Sequence, residues 1–239
     1  MTPSHPSHSR RDFVSTLALG GITLGLGGGS TGGDRTIDLA LDQEQEPIQL
    51  PPTKDDGPWD MSWLDRVSAA EHKLVFDIGA YQEGGGLYYA KNYLNGMRDG
   101  WGIEAPRVLP ILGVSGGAYP IVFADAIWAK YEYGASTKSK DPRTGEPAVR
   151  NIFWQPKPGE RMAEFGVDVL QARGCQLLFC NNVFRGVIRS VMAKTKRPYA
   201  EVRAELNAGF LPGVIVVPAM VAAMSMAQAR GAAYVFAGA

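Results

Sequence analysis

Five short apolar runs, separated by longer segments of helical patterning, limit this chain to few architectures. The runs are 73-KLVFDI-78, 107-RVLPILGV-114, 176-QLLFC-180, 214-VIVVP-218 and 232-AAYVFA-237. Between them the spacing predicts helices over 86–97, 119–133, 160–173, 182–194 and 219–230. In the third of these, Met162, Phe165, Val169 and Leu170 fall on one face. Strands of about five apolar residues alternating with helices predict an α/β domain, a parallel sheet of about five strands with helices on both faces. Right-handed crossovers then bring the C-terminal ends of all strands to one edge, where open α/β sheets collect their ligands.

Residues 1–33 stand apart from this pattern. Arg10 and Arg11 are followed by Asp12, Phe13 and Val14, then by a mildly apolar, glycine-rich run. That order is the form of a twin-arginine export signal and predicts a periplasmic protein. A chance arginine pair is the bland alternative. The run is too short and glycine-rich for a membrane span, and no A-x-A cleavage site follows, which leaves an uncleaved membrane anchor open. Residues 34–57, rich in Asp, Glu, Gln and Pro, read as a linker. Residues 58–239 read as the folded domain. Its first residues set Trp59 and Trp63 close together, as core caps or, less commonly, as a stacking platform. Residues 134–158 break the alternation, being polar and proline-rich around one apolar island, Ile152-Phe153-Trp154. A loop of this length is a lid, an oligomer contact or a plain surface insertion.

Charge excludes one class of partner. Lys plus Arg equals Asp plus Glu, 24 each, so there is no basic field for nucleic acid. A second class is suggested by Gly113-Val114-Ser115-Gly116-Gly117, which fits the nucleophile elbow G-x-S-x-G of hydrolases. Such a serine needs a base, and no histidine follows Ser115. His5 and His8 lie in the signal region, and His72 precedes the first strand, at the wrong end of the sheet. A serine hydrolase is therefore the third reading. Ser115, Gly116 and Gly117 read better as a tight strand-to-helix loop whose N–H groups face an anion, with Gly84-Gly85-Gly86 as a second loop of this kind. Neither run matches G-x-G-x-x-G or a P-loop, so no cofactor is expected. No Cys/His cluster supports a metal. Met220, Met224 and Met226 suit copper in principle and core packing far more often.

Cys180 closes the third strand and is followed by Asn181 and Asn182, good helix-capping residues. A thiol there lies at the positive end of a helix dipole, which favours a reactive thiolate, and Arg185 adds to the effect if it points back. The alternative is a buried, inert cysteine. Five residues of strand separate Cys175 from Cys180 by roughly 16 Å on opposite faces, so an intrachain disulfide is not expected and Cys175 reads as core.

The second half of the chain resembles the DsrE/DsrF-like family, which includes TusD-type sulfur-relay proteins. The resemblance is carried by 169-VLQARGCQLLFCNNVFRGVI-188 and 211-LPGVIVVPAMVAAMSMAQARGAAYVFAG-238, in which Cys180, Pro218, Gln228 and Gly231 occupy the family's places. It covers roughly residues 72–239. It implies a flavodoxin-like α/β domain that commonly forms homo-oligomers. It also implies a persulfide on Cys180, taken from a small sulfur species and passed to a protein acceptor. Export and the 134–158 insertion both depart from the cytoplasmic relay proteins. In this reading Asn181 and Ser115-Gly116-Gly117 donate hydrogen bonds to the sulfur anion. The competing class is a non-catalytic module that binds a small anion at the strand edge and assembles through its apolar insertion.

Overall fold

The structure, a computed structural model, describes residues 48–238. The twin-arginine region and most of the linker lie outside the described residues.

The strands are β1 (His72–Ile78), β2 (Val108–Val114), β3 (Gln176–Cys180), β4 (Val214–Val217) and β5 (Ala233–Phe236), each within one or two residues of its apolar run. The helices, in chain order, are α1 (Trp63–Ala69), α2 (Gly85–Trp101), α3 (Asp125–Lys130), α4 (Tyr133–Ser136), α5 (Val167–Ala172), α6 (Asn181–Thr195), α7 (Tyr199–Ala208) and α8 (Met220–Gln228). All strand pairs are parallel, and the sheet order is β4-β3-β2-β1-β5. Helices cover both faces, as in flavodoxin-like α/β domains.

Strand order decides which helix lies where. β1 to β4 are laid down side by side in one direction, so right-handed crossovers put α2 through α7 on one face. The chain then returns to the far side of β1 for β5, which puts α8 on the other face beside α1. The two buried clusters follow this division. Leu87, Trp128, Leu170, Phe184 and Leu206 pack on Phe76, Leu112 and Phe179. Trp63, Val67, Met224 and Ala227 pack on Val75, Ile111 and Leu178. Alternation along β3 therefore sends Phe179 to the first layer and Cys180 to the second.

Two expected helices are shorter than their patterns. The segment 119–133 divides into a 3-10 turn (Gly116–Val122) that contains Pro120, then α3 and α4. Pro120 lacks the N–H that a continuous helix needs. In 160–173 only α5 is helical, because Gly166 precedes it in an extended conformation, ψ 153°. Met162, Phe165 and Leu170 are still buried together. α1 and α7 were not foreseen.

The apolar island of the 134–158 insertion packs into the core. Phe153 is 0% exposed, packed edge-on to Tyr81 at 5.5 Å and Trp128 at 6.4 Å. Buried Asn151 donates from its amide to the carbonyls of Ile121 (2.9 Å) and Phe123 (2.7 Å), and its side-chain oxygen accepts the Phe153 N–H. Arg150 grips Asp141 through two bonds of 2.8 and 2.9 Å. Ile152 and Phe153 are thus spent inside their own fold.

Candidate functional site

β3 ends in Cys180, whose extended backbone (φ −74°, ψ 118°) forms the N-cap of α6. Its sulfur turns to the α8 layer. There the N–H of Met220, the first residue of α8, donates to Sγ at 3.4 Å. Met220 reaches this place because the neighbouring strand carries Gly113, where a Cβ would stand 2.9 Å from the Met220 sulfur. The N-terminus of α8 thus points at the sulfur and favours negative charge there, whereas Cys180 makes no side-chain bond to the α6 that it caps. Cys180 is 6% exposed, so access is narrow. Cys175 faces the other layer, and burial pushes its thiol up to about 12. Both cysteines are free.

The Ser115 loop lies at the same edge. Val114 pairs with Phe179, so Ser115 comes next in register beside Cys180. Two of its N–H groups do not face outward as the sequence suggested. The Ser115 N–H donates to Ile78 O and the Gly117 N–H to Gly79 O, both at 2.9 Å. Gly116 has φ 47°, and a Cβ there would strike the Gly79 carbonyl oxygen. The loop is stitched to the turn after β1, which uses two of the donors assigned to an anion. Gly84 likewise serves as the left-handed N-cap of α2. His72 pairs with Val108 at the opposite end of the parallel strands. That is roughly 20 Å from Ser115 at strand spacing, so the pair makes no proton relay.

The most densely bonded group at the edge was not foreseen. It is Asp56, in a 3-10 turn (Thr53–Asp56) of the stretch read as linker, with its side chain 1% exposed. Its Oδ2 accepts from the Asn181 amide at 2.9 Å and from Arg185 at 2.6 Å. Its Oδ1 accepts from the Tyr199 hydroxyl at 2.6 Å and pairs with Arg203 at 3.2 Å. Arg185 also donates to Pro51 O, and Arg203 to Asp56 O. Burial alone would raise the Asp56 carboxyl. The hydrogen bonds from Tyr199, Asn181 and Arg185, with the charge of Arg203, outweigh it and hold the group below the usual carboxylate range.

This cluster revises two expected roles. Asn181 is almost fully buried and committed, donating to Asp56 and accepting from Arg203 at 3.4 Å. Arg185 serves Asp56 rather than Cys180. The first turns of α6 therefore already hold an anion, and it belongs to the chain itself. The sequence signal was faint, because nothing local separates Asp56 from Asp55.

Among the described residues, no group of three or more His, Cys, Asp or Glu side chains is placed to hold a metal, and no helix is long and apolar enough to cross a membrane. Met220 and Met224 pack in the core, whereas Met226 is exposed. Trp63 is buried, and Trp59 is half-buried beside Asp56 and Arg203.

Fold and edge together define a flavodoxin-like α/β protein with a shielded thiol at the C-terminal end of its sheet. No family model matches the chain, and no curated protein matches it. Among solved structures, a protein of unknown function from Methanobacterium thermoautotrophicum, MTH1491, is similar to it. The two share 16% identity with a TM-score of 0.39, over 69% of this chain and 98% of that one.

Proposed function

We propose that this is a DsrE-like protein, exported by the twin-arginine route, that holds sulfane sulfur on Cys180 and hands it to a protein acceptor. The observation that carries this reading is the N-terminus of α8 aimed at the Cys180 sulfur, with the Met220 N–H bonded to it. The Cys180 thiolate attacks a sulfur atom of a polysulfide. One sulfur–sulfur bond forms, another breaks, and the shortened polysulfide leaves with the electron pair. Narrow access restricts the donor to small, slender species of this kind.

Incubation of the purified protein with polysulfide is expected to add one or more sulfur atoms. The addition should be reversed by dithiothreitol and absent in Cys180→Ser, as read by intact mass. An unmodified Cys180 in folded protein would sink this reading.

The second reading, a non-catalytic assembly module, draws on a different observation. β5 is an edge strand, and Tyr234, Val235 and Phe236 are all exposed on it. Unpaired apolar edges are where sheets join. Light scattering of Phe236→Lys beside the parent protein tests it: a loss of mass in the variant supports a homo-oligomer built on this edge, and an unchanged monomer removes it.

A further inference from the structure

β5 is held on one side only. Among the described residues it pairs with β1 and with no other strand, and all of its residues, Ala233 to Phe236, are exposed. The strand at the other end of the sheet, β4, is at least half-buried throughout. Register places the β5 side chains. Tyr234 pairs with Val75 and Phe236 with Asp77, so both lie on the α8 face, while Val235 pairs with Phe76 and lies on the α2 face. The Tyr234 hydroxyl donates to Asp77 Oδ2 at 2.9 Å, which fixes its ring. On the α2 face Tyr93 packs edge-on to Phe76 at 5.8 Å, and Tyr89, one turn before it on the same stripe, is also exposed. So short a strand, with one neighbour and two bare faces, gains little from its own fold.

The backbone narrows the choice of partner. The Ala237 N–H donates to Asp77 O at 2.9 Å. Main-chain groups alternate in direction along a strand, so those of Val235 face β1, and the N–H and C=O groups of Tyr234 and Phe236 face the open edge. Proteins commonly blunt such an edge with lysine, proline or a bulge. The stretch 231-GAAYVFAGA-239 has neither lysine nor proline and no charge of any kind.

We infer that β5 pairs antiparallel with β5 of a second copy of this chain, about a two-fold axis at Val235, so that two five-stranded sheets become one. Hydrogen-bonded pairs of an antiparallel ladder need outward N–H and C=O groups on both strands. Tyr234 therefore lies opposite Phe236 of the second copy, and Val235 meets Val235 on the axis. An axis at Tyr234 or at Phe236 would call on Ala232 or Gly238, which lie outside the strand. In the chosen register an aromatic ring faces an aromatic ring twice on the α8 side, and valine faces valine on the α2 side. A charge on the axis would face itself, and the strand has none. A foreign strand satisfies the backbone alone, whereas the second copy supplies the side-chain match by symmetry.

This pairing rests on the assembly reading, and its test separates the two. Light scattering of the full chain should give twice the monomer mass. Val235→Cys and Tyr234→Cys are then made in the Cys180→Ser background, which removes the thiol at the sheet edge. Both are oxidised with copper phenanthroline and run on non-reducing gels. On the axis the two Val235 Cα atoms stand about 4.5 Å apart, within the usual disulfide range of about 4.4–6.8 Å. The two Tyr234 Cα atoms stand roughly 9 Å apart. Val235→Cys should therefore crosslink at least roughly tenfold faster than Tyr234→Cys. A dimer that Phe236→Lys dissociates but Val235→Cys fails to crosslink overturns this pairing and leaves the edge reading standing. Faster crosslinking of Tyr234→Cys overturns it likewise, and a monomeric parent overturns both.

Discussion

Replacing Asp56 with alanine is expected to destabilise the protein by about 3–5 kcal/mol, the usual cost of breaking a buried ion pair from one side. The carboxylate is almost wholly buried and is the common acceptor of Asn181, Arg185 and Tyr199 and the counter-charge of Arg203. Without it, the Arg185 and Arg203 guanidinium groups, both donating to the Tyr199 hydroxyl, lose their shared counter-charge. Asp56→Asn keeps the shape and removes the charge, so it should lie between alanine and the parent in urea unfolding. The effect depends on pH in a defined direction. The folded carboxyl is held below its ordinary value of 3.8. Its contribution is whole above that value and fades as the pH falls through the lower folded one. The gap between parent and Asp56→Ala should therefore be constant near neutrality and close in strong acid. A gap that widened on acidification would contradict this assignment.

Phe153→Ala should cost a similar amount, about 3–5 kcal/mol, and lower the melting temperature on the order of 10 °C. Its ring fills the space between Tyr81, Trp128 and Gly84, and its carbonyl accepts the Val167 N–H at the start of α5. The damage should be local first. Trypsin should cut the variant early at Lys138, Lys140 or Arg143, while the sheet stays folded. An insertion lying loosely on the surface would give a small change in melting temperature and equally fast cleavage in both proteins.

Much of the frame was legible because strands and long helices repeat their signal. Continuous apolar runs marked all five strands, and helical spacing marked α2, α6 and α8. Asn-Asn after an apolar run located the mouth of α6, and with it Cys180 at the sheet edge. Legibility failed where one residue decided the outcome. Pro120 and Gly166 ended helices whose apolar spacing continued past them. α7 escaped because it lies between two recognised elements in a polar segment. Ile152-Phe153-Trp154 was seen as an apolar island, but its destination in the core was not visible.

By itself, then, the sequence determined an α/β sheet with its ligand edge, a thiol at the end of β3, and the lack of any histidine able to serve Ser115. These follow from local periodicity and from residue types that are scarce, two Cys and three His. Only the tertiary structure decided how that edge is furnished. Asp56 meets Asn181, Arg185, Tyr199 and Arg203 across sequence separations of 125 to 147 residues. Met220 meets the Cys180 sulfur across 40. Loop-borne polar side chains carry no period, and their partners are chosen by strand order and crossover handedness rather than by neighbours in the chain.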